Sequence, residues 1–406
     1  MTEDYQDKDA STNIDTVLDV TESLEALNDI TVTESTKHLL TVSTESLYRR
    51  LNIAAPVHDS NIATEGVAAA VGDAIKKAYK AIARIIKAIW DKLSKFVKNL
   101  FDVSKNSIKE AESLKKKIKD GNYTTLKDSE DGNINAEFED EPLAENFSSN
   151  KTIDDRVVLN VFAVHKKFTS ETRHLPETIE RTTGLVDKNI NLARNRNTSG
   201  IDYGIDLMYK EVETATNIML AFMMPGESTG SDLLKSGNGS EREILYPKNG
   251  VLFGNKQIEF KIDIQTPKFS DMESDSSFDL NFSLKDAEEK GDSTKLTILN
   301  KEEMLRLCDA VIDLAKGNTE LCKATEKAKD NADKLAAALD KVMGINSNPD
   351  DQETARKIRR VIQYNRRVVS VMGTKTGAFA GTIVGLNGRL CKSTLVYVKK
   401  CMNSYQ

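Results

Sequence analysis

Apolar residues recur in steps of three and four over most of this chain, and in steps of two over one short region. The clearest helical period runs through residues 66–102, at Val71, Ile75, Ala78, Ile82, Ile85, Ile86, Ile89, Leu93, Phe96, Val97 and Leu100. The opposite face carries Lys76, Lys77, Lys80, Arg84, Lys87, Lys92, Lys95 and Lys98. This spacing predicts an amphipathic helix, and the pattern continues through Ser107 to Lys119. Further helical stretches are expected at Asp154 to Thr169, Pro176 to Arg196, Ile205 to Met224 and Lys301 to Met343. A break at residues 344–349, Gly-Ile-Asn-Ser-Asn-Pro, precedes another helical region from about Asp350 to Lys400. Two long helices across a short break predict an antiparallel helical hairpin.

Between residues 250 and 299 the period changes. Ile258, Phe260, Ile262 and Ile264 alternate with Glu259, Lys261 and Asp263, as a half-buried strand does. Short apolar runs at Val251 to Phe253, Phe278 to Phe282 and Leu296 to Leu299 complete a small antiparallel β insertion. The fold class expected is therefore mainly α: long amphipathic helices and a C-terminal helical hairpin, with the β insertion set among them.

Charge divides the chain more sharply than hydropathy does. The whole of its 406 residues sums to −6. Residues 1–65 hold 13 acidic and 4 basic side chains and are rich in Ser and Thr, which predicts a largely disordered leader. Residues 66–120 hold 14 basic and 6 acidic side chains. Residues 121–150 hold 8 acidic and 1 basic, and read as an acidic linker. The remainder, 151–406, reads as the main helical domain with the β insertion. It contains a basic stretch at Arg356, Arg359, Arg360, Arg366 and Arg367. These arginines are candidates for nonspecific phosphate contacts, against the plainer reading of a solvated or ion-paired helix face.

Sites of chemistry are scarce. No metalloprotease, nucleophile-elbow, phosphate-loop or dinucleotide-binding motif occurs in the sequence. Neither a metal nor a cofactor is expected. The histidines lack metal-ligand spacing, and His165 and His174 read as members of a solvated helix face. Cys308, Cys322, Cys391 and Cys401 have no paired spacing and read as buried, reduced thiols. The acidic opening MTEDYQDKDA has no apolar core behind it and does not read as a secretory signal. No apolar run approaches the ~18–20 residues that span a bilayer. Gly377, Gly381 and Gly385 form a doubled GxxxG, read as a close-packed helix contact in a soluble protein.

The break between acidic leader and basic helix coincides with Ala63-Thr64-Glu65, followed by Gly66. The same small-x-Glu pattern ends at Glu25, Glu45, Glu241 and Glu326. An acidic Thr/Ser/Glu-rich leader, this junction and the helix AIKKAYKAIARIIKAIWDKLSKFVKNLF together resemble the internal head proteins of phiKZ-like giant tailed phages. The resemblance covers about residues 1–105. It implies a protein packaged into the immature head and cut after Glu65 by a prohead protease, with earlier cuts after Glu25 and Glu45. It also implies a place inside the capsid after assembly in the host cytoplasm, with other head or inner body proteins as partners. Removing 1–65 leaves 53 basic and 50 acidic residues, so the shortened chain coexists more easily with packed DNA.

Three functions fit the sequence. The first is a structural, noncatalytic internal head protein. The second is an ejected or membrane-active effector using Ile75, Ile82, Ile85, Ile89, Trp90, Leu93 and Phe96 as the apolar face of an interfacial helix. The third is an enzyme or inhibitor whose site assembles from residues distant in sequence.

Overall fold

The structure, a computed structural model, describes residues 101–126, 137–147, 151–174, 242–246, 252–264, 278–287, 291–342 and 379–405, with a few isolated positions besides. Five helices and five strands are assembled from them. The helices are α1 (residues 101–120), α2 (Glu141–Ala144), α3 (Asp155–Thr172), α4 (Lys301–Val342) and α5 (residues 379–403). The strands are β1 (Glu137–Glu139), β2 (Arg242–Tyr246), β3 (Lys256–Ile264), β4 (Phe278–Asp286) and β5 (Lys295–Thr297). The class is mainly α. The expected helices at Pro176 to Arg196 and Ile205 to Met224 lie outside the described residues.

Local sequence sets the helix starts. Asp154 caps α3 by accepting from the Val157 amide at 2.9 Å. At the start of α4, Asn300 Oδ1 accepts from the amides of Glu302 and Glu303 at 3.0 Å each. The Glu303 carboxylate accepts in return from the Asn300 amide at 2.9 Å. This reciprocal pair satisfies amides that otherwise have no helical partner.

Helix directions follow from the cross-contacts. Along α4 the partners on α5 run backwards: Leu299 meets Cys401, Val311 meets Cys391, and Asn318 meets Asn387. The described parts of the C-terminal hairpin are thus antiparallel, as the sequence predicts. The α1 helix also opposes α4, since Lys115 pairs with Asp309 while the Lys301 ammonium donates to the carbonyls of Lys119 and Gly121. By contrast α3 runs parallel to α4, through Asp155 to Arg306 and Arg173 to Glu320. The four long helices bury a common core that includes Ala111, Leu114 and Ile118 of α1, Val158 and Phe162 of α3, Leu307 and Val311 of α4, and Leu390 and Leu395 of α5.

The acidic stretch is more than a linker. Residues 137–147 form β1, α2 and one 3-10 turn, and Leu143, Ala144 and Phe147 enter the core. Glu137, Glu139 and Glu141 are exposed and Asp140 caps α2 and pairs with Lys400, while Phe138, Leu143, Ala144 and Phe147 pack inward or against the core. The net charge of the segment conceals that division. β1 pairs antiparallel with β5, and Tyr397 of α5 clasps this layer by donating to the carbonyls of Ile153 at 3.0 Å and Thr297 at 2.6 Å.

The β insertion is an antiparallel sheet in the order β2-β3-β4. Phe260 sits opposite Phe282 in the register, and both rings meet Phe379 of α5, with centroids 5.7 and 5.4 Å away. Ile258 and Phe260 are buried as the alternation predicts, but Glu259 between them is buried as well and pairs with Lys285. Two further details differ from the sequence reading. β2 begins earlier than the expected insertion, just after a Gly/Ser-rich stretch that hides it. The run at Val251 to Phe253 is no strand beyond a single bridge: Leu252 and Lys256 exchange backbone hydrogen bonds around a tight turn. Gly254 (φ 79°) and Asn255 (φ 56°) turn the chain there in the left-handed region.

Candidate functional site

The sequence-predicted site residues fall largely where the structure gives no description. Ala63, Thr64, Glu65 and Gly66, the earlier Glu25 and Glu45, the apolar helix face from Ile75 to Phe96, and Arg356, Arg359, Arg360, Arg366 and Arg367 all lie outside the described residues. The continuation of the basic helix is described. In α1, Ser104, Ser107, Ala111, Leu114 and Ile118 form the buried face, so this end of the basic segment is a core element. Its lysines are partly engaged: Lys115 pairs with Asp309, and Lys105 lies 4.2 Å from the centre of the Phe101 ring.

The most developed polar arrangement is internal. His165 on α3, which the sequence places on a solvated face, is 1% exposed. The correction has a plain cause. His165 follows Val158, Val161 and Phe162 and precedes Phe168, Thr169 and Thr172 in steps of three and four, so it shares their buried stripe. That spacing was the available signal.

Proton positions in this network are determined by its partners. The Phe253 amide donates to His165 Nε2 at 3.0 Å, so Nε2 carries no proton. His165 Nδ1–H then donates to Asn387 Oδ1 at 2.7 Å. The Asn387 amide nitrogen donates to Thr169 Oγ1 at 2.7 Å and to Asn318 Oδ1 at 2.6 Å. The Thr169 hydroxyl donates to the His165 carbonyl at 2.8 Å. Helices α3, α4 and α5 are thereby tied through the Asn387 side chain, and the Leu252–Lys256 turn joins them through His165. Burial lowers the His165 pKa to about 4, opposed by the Asn387 hydrogen bond. The neutral imidazole is enclosed in the core.

Other reactive groups are similarly shut in. All four cysteines are free and buried. Burial pushes each thiol up to about 12, away from the nucleophilic thiolate. Burial also raises the Tyr397 phenol, whose proton is committed to two carbonyls. Among the described residues no group of three or more His, Cys, Asp or Glu is placed to hold a metal ion. No helix among them is long and apolar enough to cross a membrane.

This geometry describes a braced helical body, and comparison with known proteins gives it a context. A family model for phiKZ-like phage internal head proteins matches residues 2–388. The chain belongs to that family. No curated protein and no solved structure matches it.

Membership gives this internal head protein a structural role and a place in the virion interior. The match extends far beyond the quarter of the chain in which the resemblance was legible. It takes in the acidic leader, the basic helical segment, the β insertion and α4, and ends within α5 at the residue after Asn387.

Proposed function

We propose that this internal head protein is packaged as a precursor, cut after Glu65 by the prohead protease, and retained as a noncatalytic structural component built from residues 66–406. The observation that carries this reading is the family match, which spans residues 2–388 and so takes in both sides of the Glu65 junction. The small-x-Glu junction coincides with the change from 13 acidic and 4 basic side chains in residues 1–65 to 14 basic and 6 acidic in residues 66–120. The basic segment stays attached, because Ala111, Leu114 and Ile118 anchor its far end.

Motif context supports the choice of site. Ala324, Thr325 and Glu326 also fit small-x-Glu, but they lie inside α4 beside the buried Leu321 and Cys322. Proteases take extended segments, so a motif held in helical conformation is a poor substrate even where Glu326 itself is exposed. On this reading the leader at −9 suppresses contact with phosphates during assembly, and its removal frees the shortened chain to sit among packed DNA and other inner head proteins. A Glu65→Gln phage tests the cut. Its particles should contain a chain longer than the wild-type product; an unchanged product length refutes cleavage at this residue.

A further inference from the structure

The Leu252–Lys256 turn leads directly into β3, the central strand of the β2-β3-β4 sheet. Two backbone amides of the turn donate into the helical body. The Gly254 amide donates to the Asn146 carbonyl at 2.9 Å, and the Phe253 amide donates to His165 Nε2 at 3.0 Å. Aromatic contacts add to these: Phe253 against Phe147, and Phe260 and Phe282 against Phe379. The His165 contact is the one that a proton reverses. Once Nε2 is protonated it becomes a donor facing another donor, and a cation is enclosed without an anionic partner.

We propose that His165 is an acid-released latch, whose protonation undocks the Leu252–Lys256 turn and the β2-β3-β4 sheet while the four long helices stay assembled. Charged groups on the packed elements do not offset the proton. On α3 and α4, Lys166 pairs with Asp313 at 3.3 Å and Arg173 with Glu320 at 3.8 Å, all at exposed positions. Lys167 and Lys316 are exposed, and His174 and Glu171 lie at the far end of α3. Arg389 is the charged residue nearest Asn387 on α5 and is half-buried. On the sheet side Lys256 pairs with Asp286 at 2.7 Å, and the buried Glu259 pairs with Lys285. The buried thiols of α4 (Cys308, Cys322) and α5 (Cys391, Cys401) and the Tyr397 phenol, all raised by burial, remain neutral throughout the acid range. Burial and the Asn387 hydrogen bond alone set the titration of His165.

The full chain tests this, with histidine Cε1 labelled for NMR, a hydrophobic dye reporting exposed apolar surface, and far-ultraviolet circular dichroism reporting helix. On acidification dye binding should rise together with His165 protonation while the helical signal persists. His165→Gln keeps a neutral acceptor for Phe253 and should move the dye transition down by at least about one pH unit. Dye binding that rises before His165 titrates overturns the proposal. So does simultaneous loss of helix, or an unchanged transition in a folded Gln variant. If that variant does not fold, the wild-type comparison of dye and histidine signals decides alone.

Discussion

His165 Nδ1 and Asn387 Oδ1 lie 2.7 Å apart in the core, joining helices 222 positions apart in sequence. Asn387 uses its oxygen and both amide protons here, so truncating it strands His165, Thr169 and Asn318 together. Asn387→Ala should cost about 2–4 kcal/mol, because buried groups left without partners incur their desolvation penalty. Urea unfolding should show a lower midpoint with an unchanged slope.

Acid should weaken the fold through the same residue. The His165 pKa is lowered from 6.5 to about 4 in the folded chain. Between these values the unfolded chain binds a proton that the folded chain refuses. The contribution is therefore complete above the unfolded value and is lost as pH falls towards the folded one. The loss is on the order of 3 kcal/mol. Urea titrations across this window should show stability falling with pH, and His165→Gln should flatten the slope.

The thiols should be inert in the folded chain. Cys308, Cys322, Cys391 and Cys401 are buried, with pKa values pushed up to about 12. Iodoacetamide should label the native protein at least about a hundredfold more slowly than the denatured one. Mass spectrometry of timed samples measures the difference.

Tyr397→Phe removes the hydroxyl that bridges Ile153 and Thr297 but keeps the buried ring. The expected loss is about 1–2 kcal/mol. Amide exchange should accelerate at β1 and β5, the layer this hydroxyl holds, and less so in the β2-β3-β4 sheet.

Long periodic elements were legible in the sequence because burial repeats along them. Expected from Lys301 to Met343, α4 spans Lys301–Val342, and Ile258 to Ile264 lies within β3. Short elements were not legible. In β1, α2 and the 3-10 turn after it, Phe138, Leu143, Ala144 and Phe147 are too few to show a period among carboxylates. His165 was misplaced because residue type was weighed above register. Asn387 and Asn318 give no local signal, since their partners come from other helices. The proposed cleavage junction is the reverse case. Its signal is a change of composition at residue 65, and it lies outside the described residues.

The N-terminus of this protein in purified phage particles tests the account most directly. Peptide mass spectrometry of the virion should find a chain beginning at Gly66, with peptides from residues 1–65 absent. A virion protein that retains the leader through Glu65 would contradict maturation at this site.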